Sequence, residues 1–477
     1  MTSKKRQPHP RALPYLFLTE LWERYGFYTV QGLLVLYMTE YFNLPDSESY
    51  SILGVFTALA YISPLAGGYL ASHVLGYKTS IIWGGFFLIV GYGLLALPFT
   101  STLLYPSLAT IVVGTGLFKP NISSLLGTQY SFDDPRRDSG FTIFYIGINS
   151  GILLAGLSSG YVKDYFGWRV SFALASIGLI IGLLTFCYGI RYLKAYPHMH
   201  NPNSKTKRRL LAYSILALLG LNFLLRINAL ANWLLPAIGI VLLVYLTILT
   251  MRQDAEYRKR MFILNVLIVS SIVFWMLYLQ MFYSANLYIE RLIDKSLFGI
   301  PLSTPVFYAS QSIFVILLGP LFAWIWDHLA HADKNPSPVS KFIFAIVCAG
   351  IACLILGIST MVQDAHALVN PFWIFSAYFM FSVGELLLSP VGLSAVTWLA
   401  PPHLAGVMMG VWFVALGFGG IFAGWIAKLS SLPEHVLLTT TDKLAIYQGA
   451  FLNYAYLAFF VAIFLFFMQA SLRRLLR

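Results

Sequence analysis

Charge is scarce in this 477-residue chain: 10% of its residues are Asp, Glu, Lys or Arg, where soluble domains carry roughly 25%. A chain with so few charges cannot cover itself for water, and with 58% apolar residues and a mean hydropathy of +0.74 it reads as a polytopic helical membrane protein. Acidic residues are the scarcer sign, 19 against 31 Lys and Arg, for a formal charge of +12. The basic residues are strung along short loops and form no single patch, which argues against nucleic acid as a partner. Cysteine is rarer still. Cys187, Cys348 and Cys353 all fall in apolar runs, an odd count that gives neither a disulfide framework nor a metal-ligand spacing. The stretch Met1–Arg11 is basic and polar and lacks an apolar segment ending in a cleavage site, so no removable signal peptide is expected.

A spanning helix needs about 20 mostly apolar residues. Segments that meet this run 14–39, 50–71, 79–98, 102–127, 141–162, 169–190, 210–226, 232–251, 261–288, 305–326, 341–362, 371–400, 404–429 and 445–470, fourteen in all. The polar stretches His198–Arg209 and Arg252–Arg260 set the seventh and eighth apart. The expected organisation is therefore a six-helix bundle over 1–197, a linker with two additional transmembrane helices over 198–260, and a second six-helix bundle over 261–477. The positive-inside rule tests the count independently. Of the 31 Lys and Arg, 22 fall in loops on one side, seven on the other, and only Arg24 and Lys119 within helices. Both termini are expected in the cytoplasm, with the chain multi-pass in the plasma (inner) membrane.

Among the acids, Glu20, Glu23 and Glu385 lie inside spans. A charge at the bilayer centre costs on the order of 3 kcal/mol even on lenient scales, so five intramembrane charges mark function by default. Glu20, Glu23 and Arg24 are spaced to share one face of a helix. The five sum to one negative charge, which a single proton would neutralise if they meet in one cavity; proton coupling follows as an expectation. The alternative is a permanent Glu–Arg pair pinning helices together. Glycine and proline punctuate several spans, at Gly114–Gly116 with Pro120, at Ser389-Pro390 with Gly392, and at Gly417–Gly420, as suits helices that bend around a cavity or pack closely. Tyr41, Tyr92 and Trp373, near span ends, read as interfacial anchors.

These residues carry a resemblance. Glu20-Leu-Trp-Glu23-Arg24-Tyr25-Gly-Phe27-Tyr28 resembles the ExxERFxYYG signature on the first helix of proton-dependent oligopeptide transporters, a branch of the major facilitator superfamily. Four further matches fall in order and in register along nearly the whole chain: Gly116-Leu-Phe-Lys119-Pro-Asn121, Phe144-Tyr145-Ile-Gly-Ile-Asn149-Ser-Gly151, Phe274-Trp275-Met-Leu-Tyr-Leu-Gln280, and Gly384-Glu385-Leu-Leu-Leu-Ser389-Pro390-Val-Gly392-Leu-Ser394. The resemblance implies the major facilitator fold, two six-helix bundles that rock around a central site, with two extra central helices. It implies a proton-coupled symporter importing di- and tripeptides, driven by the proton gradient without a cofactor, and acting as a monomer. On this reading Glu20, Glu23 and Arg24 form the proton-coupling cluster with Lys119 opposite. Glu385 meets the peptide's amino terminus with Asn149 nearby, Tyr28, Tyr61 and Trp275 line side-chain pockets, and Gln31, Gln311 and Ser389 complete the substrate site.

The departures are specific. Gln31 stands where family members often hold the peptide carboxylate with an Arg, so Lys119 or Arg24 takes that task. Leu279 replaces a frequent Glu, which leaves proton coupling to the first helix. Phe27, Thr29 and Gln311 also differ from the pattern, and Ser72 sits where the loop between the second and third helices usually has an Asp. These changes leave open a peptide-like metabolite or modified amino acid as cargo, or a non-transporting receptor of the same fold. An enzyme is not expected: His328 and His331 near Asp327 and Asp333 come closest to a site but fall in a loop. No repeated filter motif or ring of like charges suggests a channel, and no nucleotide-binding loop suggests ATP.

Overall fold

The computed structural model describes residues 8–97, 101–131, 134–194, 204–332, 334–363 and 368–476. The start of the basic tail, Asp333 and much of the stretch His198–Arg209 lie outside the residues or side chains so described.

The chain is almost entirely helical. The first part holds α1 (Leu13–Leu36), α2 (Asp46–Leu70), α3 (Tyr77–Ala96), α4 (Leu104–Thr128), α5 (Arg137–Phe166) and α6 (Trp168–Gly189). Two further helices follow, α7 (Ser204–Arg226) and α8 (Asn228–Met251). The remainder is α9 (Ala255–Tyr278), α10 (Ser284–Leu292), a two-stranded hairpin of β1 (Ser296–Leu297) and β2 (Ile300–Pro301), α11 (Thr304–His331), α12 (Pro338–Ser359), α13 (Phe372–Leu399), α14 (Ala405–Ala427) and α15 (Thr440–Leu476). α9 and α10 are two parts of the ninth apolar stretch, so among the described residues the helices match the fourteen apolar segments that hydropathy predicts. Among the described residues, eleven helices are long and apolar enough to cross a membrane. α1 carries three charges within five residues, and the apolar part of α7 is short.

Local chemistry accounts for the breaks. Asp254 caps α9, its Oδ1 accepting the Tyr257 N–H at 2.9 Å, and Ser337 caps α12 just before Pro338. Gly167, at φ 84°, lets the chain turn from α5 into α6 without a Cβ penalty. Between α9 and α10 the chain tightens into a 3-10 turn at Leu279–Phe282. Gln280 satisfies the backbone freed there: its Nε2 donates to the carbonyls of Met276 at 3.2 Å and Ala423 at 3.0 Å, while its Oε1 accepts from Ser284 Oγ at 2.6 Å.

Contacts divide the chain into two compact units. Unit 1 joins Met1–Val30 with Ile62–Phe223, and unit 2 joins Gln31–Tyr61 with Leu224–Arg477. In unit 1, α3 packs on α4 and α6, and α2 meets α4 so closely that a Cβ on Gly67 would lie 1.9 Å from the carbonyl oxygen of Gly116. In unit 2, α12 packs on α13 and α15, and α9 on α14. The end of α1 from Gln31 and the first part of α2 up to Tyr61 belong to unit 2, with Gly54 and Thr57 of α2 against Gly420 of α14. Small residues at such crossings let backbones approach where lipid supplies no hydrophobic driving force.

Candidate functional site: a buried ion cluster and a lone carboxylate

In unit 1, α1 and α4 bring four charges together. Glu20 is 3%, Glu23 0% and Arg24 3% exposed. Arg24 Nε lies 3.1 Å from Glu20 Oε1, and the same guanidinium is ion-paired and hydrogen-bonded to Glu23. Lys119 of α4, half-buried, lies within electrostatic reach of all three. Two negative and two positive charges make the cluster neutral as a set. Glu20 Oε2 and Glu23 Oε1 are buried without a hydrogen-bond partner among the described residues, so each carboxylate has an oxygen ready to take a proton.

The surroundings hold this cluster firmly. Arg24 lies over the Phe27 ring at 5.4 Å, and a Cβ on Gly151 of α5 would sit 2.8 Å from Arg24 Cβ. Asn149, two residues earlier on α5 and 6% exposed, spends its Nδ2 on the Tyr145 carbonyl at 2.9 Å. Tyr28 is half-buried, edge-on to Phe27. Tyr92 corrects an expectation. It is no interfacial anchor: it is fully buried against Gly26, within electrostatic reach of Glu23 and Arg24, and its hydroxyl has no partner among the described residues. Tyr41, by contrast, is exposed.

Unit 2 holds the fifth charge. Glu385 of α13 accepts hydrogen bonds from Tyr278 Oη at 2.9 Å and Gln311 Nε2 at 2.5 Å, both on Oε2, and is in no ion pair among the described residues. Its partners are neutral, so in the formal count the surplus negative charge read from the sequence falls to this residue. Trp275 stands edge-on to Tyr278, ring centres 5.3 Å apart, its buried Nε1 without a partner among the described residues. Gln31 is 2% exposed and donates to Thr57 Oγ1 at 3.4 Å, while Tyr283 Oη donates to the same oxygen at 3.0 Å. Tyr61 is half-buried and interacts with Tyr283. Leu279 is buried, and Ser389 is half-buried one residue before the helix-interior Pro390.

The sequence reading thus missed Tyr92, Tyr278, Thr57 and Tyr283. Only Tyr278 lay inside a quoted motif. His328 and His331 sit on the last turns of α11 and not in a loop; His331 is exposed, 3.5 Å from Asp327. Ser72 pairs with the adjacent His73 at 2.8 Å on an exposed π turn at Ala71–Leu75.

Comparison with known proteins adds an independent line. The sequence pattern described as the POT family matches residues 78–444. The chain belongs to the POT family. As a POT member it is 32% identical over 470 residues to dipeptide and tripeptide permease A of Yersinia pestis, covering 98% of this chain and 93% of that one. It is 35% identical over 436 residues to the permease of the same name from Chromobacterium violaceum, covering 90% and 87%. A crystal structure of peptide transporter POT in complex with sulfate matches with a TM-score of 0.85 at 30% identity, covering 98% of this chain and 96% of that one. The fold is that of the major facilitator POT transporters, and the chain is a multi-pass membrane protein.

Proposed function

We propose that this chain is a proton-coupled symporter that imports di- and tripeptides by alternating access across the inner membrane, with both termini in the cytoplasm and one chain as the transporting unit. The names of its relatives support the cargo. The observation that carries the coupling is the charge arrangement, a neutral quartet on α1 and α4 with Glu20, Glu23 and Arg24 buried, and a carboxylate at Glu385 met, among the described residues, by neutral donors. A proton on Glu20 or Glu23 releases Arg24 from one of its two ion pairs and leaves the quartet with a net positive charge. Arg24 or Lys119 is then the group that takes the peptide carboxylate. Glu385 Oε1, which carries neither of the bonds made to Oε2, is the acceptor for the peptide ammonium, a charge-assisted bond. Tyr28, Tyr61 and Trp275 offer aromatic walls tolerant of many side chains, with Gln31, Asn149, Gln311 and Ser389 as the polar remainder.

Uptake of labelled dialanine into proteoliposomes tests this reading. An inward proton gradient is expected to drive accumulation, and uptake indifferent to the gradient rejects it. Glu385→Ala is expected to weaken binding of peptides with a free amino terminus far more than of N-blocked ones. Equal weakening of both would reject the role given to Glu385.

A further inference from the structure

Unit 2 carries a second feature that peptide transport does not use. A groove of about 1010 Å³ runs between α8, α9 and α15, at the top of the drug-sized pocket range of roughly 300–1000 Å³. Along α9 its lining begins at Ala255, and from Arg258 to Val273 it covers sixteen residues, about 22 Å of helix. That is half of a bilayer some 40–45 Å thick with its headgroups, one leaflet.

Polarity along the groove is graded. Arg258 and Lys259 are exposed at one end and form no ion pair among the described residues. The neighbouring acids are engaged: Glu256 pairs with Arg260 at 2.5 Å, and Asp254 caps the helix. About 10 Å deeper, seven residues along α9, Asn265 donates to Thr250 Oγ1 at 2.9 Å, leaving its Oδ1 buried and without a partner among the described residues. Beyond this the walls are mostly apolar, Leu246, Val266, Val269, Val273, Val461 and Phe464, and the two hydroxyls among them are spent on their own helices, Thr247 on the Leu243 carbonyl at 2.8 Å and Ser270 on the Val266 carbonyl at 2.6 Å. Charge, then polar groups, then hydrocarbon is the order of parts in a phospholipid.

We propose that this groove binds an anionic diacyl phospholipid, its phosphate against Arg258 and Lys259 and an acyl chain laid along α9 and α15. Basic pockets between transmembrane helices recognise acidic headgroups through the same charge pairing. A neutral zwitterionic lipid satisfies the apolar walls but gains nothing net from two cations.

Photoactivatable phosphatidylglycerol and phosphatidylcholine, each with a diazirine in the acyl chain, are reconstituted in turn with the intact transporter, and the cross-linked peptides are mapped. Phosphatidylglycerol is expected to label residues 243–251, 262–273 and 461–468 well above the rest of the belt. Arg258→Gln with Lys259→Gln should cut that labelling by about 30-fold, the factor two interfacial cations supply, without changing phosphatidylcholine labelling. Val266→Trp, which narrows the groove and keeps the charges, should reduce labelling there by both lipids. Even labelling around the belt, or equal labelling of the wild-type groove by the two lipids, means boundary lipid only and overturns the proposal.

Discussion

At the end of α2 opposite the chain's amino terminus, Arg291 grips Asp46 through two parallel bonds, Nη1 to Oδ2 and Nη2 to Oδ1, each 2.7 Å. Arg291 also donates to Tyr447 Oη at 3.1 Å, the Leu432 N–H donates to Asp46 Oδ2 at 3.1 Å, and nearby Asn286 donates to the Gly32 carbonyl at 2.8 Å. These bonds tie Gln31–Tyr61 to the carboxy-terminal helices of unit 2; on the alternating-access reading, with α1–α6 moving as one bundle, opening on that side breaks them. A hydrogen bond to a charged group contributes about 1.5–3 kcal/mol. Arg291 is 24% exposed and Asp46 6%, so solvent screening argues for the lower half, about 1.5–2 kcal/mol. Asp46→Asn should therefore raise the population open on that side by roughly 10- to 30-fold. The assay is the rate at which an impermeant maleimide, added on that side, modifies Ala58→Cys, a fully buried position on α2, after Cys187, Cys348 and Cys353 have been replaced by Ser. An unchanged rate in the Asp46→Asn protein would refute the reasoning and leave the pair a fixed structural tie.

Further outcomes follow from the same contacts. Arg24→Gln leaves two buried carboxylates facing Lys119 alone and should cost about 3–5 kcal/mol, read as a large loss of thermal stability; adding Glu23→Gln restores neutrality and should recover most of the stability without restoring driven uptake. Gly67→Ala puts a Cβ 1.9 Å from the Gly116 carbonyl, so α2 and α4 must separate by more than 1 Å, and folded yield should fall sharply while Gly68→Ala, with no contact closer than 3.6 Å, is tolerated. Outside the membrane, hydrogen bonds from Arg136 hold the Asp134 carboxyl down to about 2. A depressed carboxylate stabilises above its unfolded pKa and loses that contribution as pH falls through the folded one, so protection of the amides at the α4–α5 turn, taken relative to the intrinsic exchange rate at each pH, should hold down to about pH 4 and fall towards pH 2.

What the sequence disclosed follows from what lipid penalises. Glu20, Glu23, Arg24, Lys119 and Glu385 stood out because charge is costly at their depth, and apolar length located the passages. Spacing along one helix already grouped Glu20, Glu23 and Arg24, and the resemblance added Lys119; the neutral partners of Glu385 were not legible. Tyr278 and Gln311 are 107 and 74 residues from Glu385, and no local spacing predicts that they converge on one carboxylate oxygen. Tyr92 misled for a related reason: position near a helix end suggests an interface, but the missing side chain of Gly26 makes room for its ring inside. The 3-10 break at Leu279–Phe282 also escaped notice, because its signal is Gln280 bonding to the distant Ala423 carbonyl while the hydropathy runs on unbroken.

The most direct measurement is transport by the Glu20→Gln and Glu23→Gln proteins in two modes, proton-driven uptake and substrate exchange at zero gradient. A protonatable cluster predicts that driven uptake disappears while exchange persists. Loss of both modes to the same degree would mean that Arg24 merely holds the helix together, and would contradict the coupling proposed for it.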